Sequence, residues 1–356
     1  MRPMTRWGNL HLDAPFFQAG LAGYSDAAMR LVARRHGCPY CVTEAMLDQF
    51  LIAGGKGLKA AELDDADHPI AGQLMGSHPK EMAEAARILI GLRYDVIDVN
   101  LACPVKKIRK RSRGGHLLSV PEEAGEILRA VRDAVGDDAP CTVKLRRASD
   151  DSAESERNLR GILECAIDAK YAGSVIHGRT VEQKYVGPAS WPRLADLVRD
   201  YGDVPGLTLG GSGDIWSAPD VFRMIEQTGV KLVSIARGCI GNPWIFRQAR
   251  AILEGDHEAA TRPPSIHEQR DVLREHFELS VVLHGESQAS RMMRKFGIKF
   301  SRHHPAAESV KARFIAVKSL DDWHAALALF YAKDGPGRPI DDAMPEEATE
   351  SCAAVS

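Results

Sequence analysis

Cys103 stands directly after the apolar, β-branched run at 96–100, and Lys106, Lys107, Arg109, Lys110, Arg111 and Arg113 follow it within ten positions. A lone cysteine is ordinarily a small buried hydrophobe. At the carboxyl end of a strand it is instead placed on the active face as a candidate catalytic thiol, where a thiol of pKa ~8.5 keeps its proton at neutral pH. Neighbouring cations would lower that pKa, so Lys106 and Lys107 are expected to point away, toward a polyanion. Further polar residues, Glu44, Gln73, Asn100, Lys144, His177 and Arg237, sit at or just past the ends of other apolar runs. Leu-Gly-Gly-Ser-Gly-Asp at 209–214 and Ala-Arg-Gly at 236–238 can cradle a phosphate on backbone N–H groups, with Arg237 as counter-charge. Neither GxGxxG nor GxxxxGK[ST] occurs, so a mononucleotide is favoured over a dinucleotide or a P-loop ligand. Cys141, Cys165 and Cys239 read as structural. Cys38 and Cys41 form a CxxC without a second pair, His303 and His304 read as solvated, and no metal is expected.

The elements that must position these groups follow from the pattern. Candidate strands at 14–18, 40–44, 70–74, 96–100, 142–145, 174–177, 206–209 and 232–236 alternate with amphipathic stretches. Eight βα units in about 240 residues predict an α/β fold, the (β/α)8 TIM barrel, whose chemistry gathers at the carboxyl ends of the strands. Residues 1–253 are assigned to this barrel and 254–265 to a linker. Ser265 and Glu268 form a capping box opening the first of four helical patterns, so 266–333 is expected to be a small all-α bundle. The stretch 334–356, rich in Gly, Pro and acids, is expected to be a disordered acidic tail.

Composition sets the remaining bounds. The chain has 356 residues, 44% hydrophobic and 26% charged, with a formal charge of -2. That balance excludes wholesale disorder and fibrous classes. No apolar run reaches membrane-spanning length, and Arg2, Arg6 and Asp13 interrupt any signal-peptide stretch, so a cytoplasmic, monomeric protein without a membrane partner is expected. Seven scattered cysteines argue for reduced thiols rather than a disulfide framework. Ten Lys or Arg against six acids between 267 and 318 make the helical part basic.

Taken in order, Gly-Leu-Ala-Gly-Tyr-Ser-Asp (20–26), Val-Thr-Glu-Ala (42–45), Gln-Leu-Met-Gly (73–76), Ile-Asp-Val-Asn-Leu-Ala-Cys-Pro-Val-Lys-Lys (97–107), Thr-Val-Lys-Leu-Arg (142–146), His-Gly-Arg-Thr (177–180), Gly-Ser-Gly-Asp-Ile (211–215) and Gly-Asn-Pro-Trp-Ile-Phe (241–246) resemble the tRNA-dihydrouridine synthase family. The resemblance covers roughly residues 7–330. It implies an FMN-bearing barrel followed by a helical RNA-binding domain, reducing specific uridines in tRNA. A hydride would go from reduced FMN to C6 and a proton from Cys103 to C5, with NADPH or NADH as transient reductant. It also implies flavin contacts from Gly20, Leu21, Ala22, Gln73, Lys144, His177, Ser212, Gly213, Asp214, Ala236 and Arg237. Asn100 would face the uracil, while Lys106, Lys107, Arg109 and Arg179 would contact the RNA. The chain departs from the family pattern at Gly20-Leu21, Ala102, Ser212 and Ala236. Three alternatives fit part of the sequence: a barrel dehydrogenase acting on a free pyrimidine or other small enone, like the dihydroorotate dehydrogenases; a dihydrouridine synthase acting on ribosomal RNA; and a non-catalytic RNA binder on a decayed barrel.

Overall fold

The computed structural model describes residues 5–339. An antiparallel hairpin of β1 (Thr5–Trp7) and β2 (Leu10–Leu12) precedes a ring of parallel strands. In chain order the strands are β3 (Phe16–Gln18), β4 (Cys41–Val42), β5 (Met46–Leu47), β6 (Ile70–Met75), β7 (Val96–Asn100), β8 (Cys141–Arg146), β9 (Gly173–His177), β10 (Thr208–Ser212) and β11 (Leu232–Ile235). β11 pairs with β3, and β4 with both β3 and β6, so eight strands close the ring while β5 extends the edge of β6. The expected TIM barrel is the observed one.

Helices cover the outside: α1 (Ala27–Arg35), α2 (Asp48–Ile52), α3 (Lys56–Ala61), α4 (Pro79–Gly91), α5 (Lys106–Arg109), α6 (Pro121–Val135), α7 (Ala153–Asp168), α8 (Trp191–Tyr201), α9 (Ala218–Thr228) and α10 (Trp244–Glu254). Proline in the first turn of α4, α6, α8 and α9 starts each helix where its missing N–H costs nothing. Strand alternation sorts the side chains. Ile97, Val99, Val143 and Leu145 point outward into the layer shared with the helices, whereas Val96, Val175 and Leu232 point into the barrel. There Trp7, Phe17 and Tyr40 plug the amino-terminal end, Trp7 meeting Phe17 edge-on at 6.3 Å. Toward the other end the interior turns polar, through buried Gln73, Asp98, Thr142 and Ser212.

The seventh barrel strand differs from expectation. It runs Thr208–Ser212 rather than 206–209, so Gly210, Gly211 and Ser212 are in the sheet, paired on both sides, instead of forming a phosphate turn. Glycines in a strand mark a close approach as readily as a turn, and here the side chains of α8 and α9 crowd Gly211.

Beyond α10, the stretch 254–265 carries a short helix, α11 (His257–Thr261), capped by Asp256. Four helices follow: α12 (Ile266–His284), α13 (Glu286–Phe300), α14 (Ala307–Ile315) and α15 (Leu320–Phe330). The capping box is real, with Glu268 N–H donating to Ser265 Oγ at 3.2 Å and Ser265 N–H to Glu268 Oε2 at 2.7 Å. Phe277, Phe314 and Trp323 form the bundle core, Phe277 stacking on Trp323 at 5.1 Å. His303 and His304 are buried rather than solvated: each donates its Nε2–H to a carbonyl, of Gly241 and Phe330 respectively, because the chain turns inward between α13 and α14. Residues 334–339 run back along the bundle, where the Ile266 N–H meets the Gly335 carbonyl and the Arg338 N–H that of His303. The rest of the acidic tail, 340–356, lies outside the described residues, as do residues 1–4. Among the described residues no helix is long and apolar enough to cross a membrane.

Candidate active site at the barrel mouth

Parallel register builds the site. Gln73 lies beside Asp98, Asp98 beside Thr142, Asn100 beside Lys144 and Ser212 beside His177, all on adjacent strands. Because side chains alternate, the inward positions 98 and 100 of β7 and 142, 144 and 146 of β8 line one surface. Gln73 Nε2 donates to Asp98 Oδ2 at 2.8 Å, Thr142 Oγ1 donates to Asp98 Oδ1 at 2.6 Å, and Asn100 Nδ2 donates to Gln73 Oε1 at 2.7 Å. Burial raises the Asp98 pKa even though these donors and Lys144 favour the carboxylate. Across the mouth Lys144 Nζ donates to Ser212 Oγ at 2.7 Å, and that hydroxyl lies 3.1 Å from His177 Nδ1. The Lys144 side chain is half-buried. Burial, reinforced by Arg146, brings its pKa down to about 7. Burial, then Arg146 and Lys144, hold His177 well below its ordinary value, so its ring is neutral.

Asn100 also fixes the cysteine loop. Its Oδ1 accepts the N–H groups of Ala102 at 3.0 Å and Cys103 at 3.1 Å. The Ala102 carbonyl accepts from Arg146 Nε at 2.9 Å, and the Cys103 carbonyl from the Gly115 N–H at 3.0 Å. Arg146 is itself buried, donating also to the carbonyls of Thr180 and Lys184 at 2.7 Å. Half-buried Cys103 is thus held from both ends of its peptide, just beyond the carboxyl end of β7.

The predicted residues therefore divide. Gln73, Asn100, Cys103, Lys144, His177 and Ser212 gather at the mouth, although Asn100 spends its oxygen on the loop backbone. Gly20, Leu21, Ala22, Ala236 and Arg237 sit on the β3–α1 and β11–α10 loops at the same rim, and buried Gly213 follows β10. Arg237 lies 4.7 Å over the Trp216 ring and 5.1 Å over Tyr185, with Asp214 at 3.8 Å. Two placements correct the sequence reading. Arg179 is fully buried, donating to Asp214 Oδ1 at 2.6 Å and the Gly187 carbonyl at 2.8 Å, so it braces the loop after β9 and does not face RNA. Asp214 in turn accepts from the Ala189 N–H at 2.6 Å, so both its oxygens are engaged by the protein. In the basic run Lys106, Lys107, Lys110 and Arg111 are exposed and Arg109 half-buried, but Arg113 is buried against Gln49 and Asp48, at 3.0 and 3.5 Å. Sequence reasoning missed Asp98, Thr142 and Arg146. The available signal was polar residues at every second position of β7 and β8, which no apolar strand face requires.

A family model described as dihydrouridine synthase matches residues 17–332. The chain belongs to the dihydrouridine synthase family. It is 33% identical over 331 residues to a probable tRNA-dihydrouridine synthase of Treponema pallidum, covering 90% of this chain and 94% of that one. It is 30% identical over 332 residues to tRNA-dihydrouridine synthase B of Pseudomonas aeruginosa, covering 93% and 96%. Among solved structures it is similar in fold to histamine dehydrogenase from Rhizobium sp. 4-9, with TM-score 0.56, 17% identity and 78% of this chain against 50% of that one. It is likewise similar to a 2-naphthoyl-CoA reductase, with TM-score 0.57, 13% identity and 72% against 52%. It spans about half of each of those two chains, and that likeness concerns the fold alone.

A dihydrouridine synthase is an oxidoreductase working with a flavin, and the mouth suits one. His177 Nε2 is buried without a hydrogen-bond partner, a state that costs free energy unless a ligand atom meets it. Gly20 abuts the Thr43 carbonyl so closely that a Cβ could not fit, so the loop after β3 packs backbone to backbone at the rim. Lys144, poised between charged and neutral, is suited to an electron-rich ring edge.

Proposed function

We propose that this dihydrouridine synthase reduces uridines of tRNA to 5,6-dihydrouridine with FMN as its flavin, NADPH or NADH as transient reductant, and Cys103 as proton donor. The observation that carries the reading is the anchoring of the Cys103 peptide by Asn100 and Arg146 beside the Lys144–Ser212–His177 chain. When bound, the reduced flavin supplies the hydride. Lys144 and Ser212 would hold its polar edge, and the loops at Gly20–Ala22 and Ala236–Arg237 would flank it, with Arg237 as the cation nearest a phosphate. Cys103 holds a proton on Sγ and delivers it to C5 of the uracil, its backbone placed by the hydrogen bonds to Asn100, Arg146 and Gly115.

The uridine must leave its stack to reach this mouth, at a cost of a few kcal/mol that is smallest in a loop. Lys106, Lys107, Lys110 and Arg111, exposed beside the cysteine, are placed to offset that cost by gripping phosphates. In this reading residues 1–253 are the catalytic unit, 254–265 the connection and 266–333 a basic RNA-binding unit, and the protein works in the cytoplasm. The test is mass-spectrometric mapping of dihydrouridine in tRNA and ribosomal RNA from cells with and without the gene. Loss of dihydrouridine from tRNA is expected. An unchanged tRNA map sinks the proposal, and a loss confined to ribosomal RNA replaces its substrate.

A further inference from the structure

The helices after residue 265 grip the barrel at two loops, and these are the loops assigned above to the flavin. From α13, Lys295 Nζ donates to the Gly23 carbonyl, and its ammonium lies 4.3 Å from the centre of the Tyr24 ring. Tyr24 in turn meets Phe296 edge-on at 5.6 Å. From the other side the Gly23 N–H donates to Glu44 Oε2 at 2.8 Å, so one residue is clamped between a carboxyl group of the barrel and a cation of the bundle. His284, ending α12, lies 2.9 Å from Asp26, the residue that caps α1 at the far end of the same loop. The second loop is held similarly. Half-buried Arg302 donates to the carbonyls of Gly238 and Ile240 at 3.2 Å each, immediately after Ala236 and Arg237. Gly241, at φ +65°, presses against the backbone at Lys299 and Phe300, where any side chain would collide.

A bundle serving only to bind RNA has no need to spend half-buried cations on carbonyls of the barrel rim. We propose that Lys295 and Arg302 are positioning residues for the flavin: by holding the 20–26 and 236–242 loops from outside the barrel they set the shape of the cofactor site, so that the helical unit completes it. The inference rests on the assignment of those loops to the flavin. Its physical basis is that neither loop is held by strand pairing, so an external donor removes loop freedom before the ligand binds rather than at its expense.

The test uses the full-length, flavin-depleted chain titrated with FMN, alongside hydrogen–deuterium exchange. Lys295→Met is expected to weaken FMN binding at least fivefold and to speed exchange at 20–26, while Lys295→Arg, which keeps a donor, stays within twofold of wild type. Arg302→Lys, which replaces the forked donor with a shorter point charge, is expected to speed exchange at 236–242. Glu275→Gln is the control. It removes the Arg35–Glu275 pair, another link between the bundle and α1, without touching either loop. The proposal is overturned if Lys295→Met keeps wild-type FMN affinity and wild-type exchange at 20–26, or if Glu275→Gln weakens FMN as much as Lys295→Met does. Failure of the wild type itself to take up FMN would overturn the flavin assignment instead. Exchange at 20–26 would then still report whether Lys295 orders the loop.

Discussion

The barrel mouth and the seam between barrel and bundle both bury charge, but they satisfy it differently. At the mouth the polar groups are paired with other side chains, Asp98 with Gln73 and Thr142, and Lys144 with Ser212. At the seam the cations Lys295 and Arg302 point at backbone carbonyls, which cannot titrate or swing away. The first arrangement leaves capacity for a ligand, and the second fixes a shape. Substitutions at the mouth should therefore cost function with little loss of stability, and those at the seam the reverse or both.

The largest break in that comparison is expected at Cys103. Cys103→Ala should lower uridine reduction by ~10²–10⁴-fold, the usual worth of a positioned general acid, while thermal stability and chemical reduction of bound flavin stay at wild-type levels. Undiminished turnover would remove the thiol from its role. Next, Lys144→Met should weaken flavin binding by about 10–100-fold, an amount typical of losing one hydrogen bond to a charged group. It should leave the melting temperature unchanged or raised, because a costly buried ammonium is gone. The same lysine sharpens the point through pH. With its pKa brought down to about 7, it must recapture a proton when an electron-rich ligand binds above that pH. Flavin affinity should thus fall as pH rises above 7, by up to about tenfold per unit, and Lys144→Met should lose this dependence.

At the seam the corresponding effect is on stability. His276, buried against Phe296 with centroids 4.3 Å apart, is held down to about 4 by burial, with Asp26 opposing and Lys295 reinforcing the shift. The unfolded chain takes up that proton near pH 6.5 and the folded one only near 4, so the unfolded state binds more protons between them. Stability is full above pH 6.5 and is lost as pH falls toward 4, at about 1.4 kcal/mol per unit from this residue. His276→Leu should flatten the acid limb of a urea-unfolding series by that slope, and an unaltered limb would refute the assignment. The smallest effect concerns the basic run. Lys107→Ala should reduce the salt dependence of tRNA binding by ~0.7 in the log–log slope, since one phosphate contact on single-stranded-like RNA is lost. Arg113→Ala should leave that slope alone and destabilise the protein, because its partners are Asp48 and Gln49 rather than solvent.

Much of this molecule is legible in its residues because the signals are local. The eight strands and the four carboxyl-terminal helices announce themselves by period, the Ser265–Glu268 box by the reach of two short side chains, and Cys103 by its place after an apolar run. What misled were signals whose meaning depends on neighbours far away in the chain. Gly210 and Gly211 look like a turn until the strands on either side are known. Arg113 and Arg179 look like RNA contacts until Asp48 and Asp214 are brought beneath them. His303 and His304 look solvated until the chain folds back over them.

Sequence alone determined the fold class and the family, since hydrophobic period and motif order are properties of the chain itself. Tertiary structure alone decided which cations remain available to a ligand and which loops the bundle holds. Burial and pairing arise between residues up to 272 positions apart, as Lys295 and Gly23 are, and no local pattern encodes which distant carbonyl a lysine will meet.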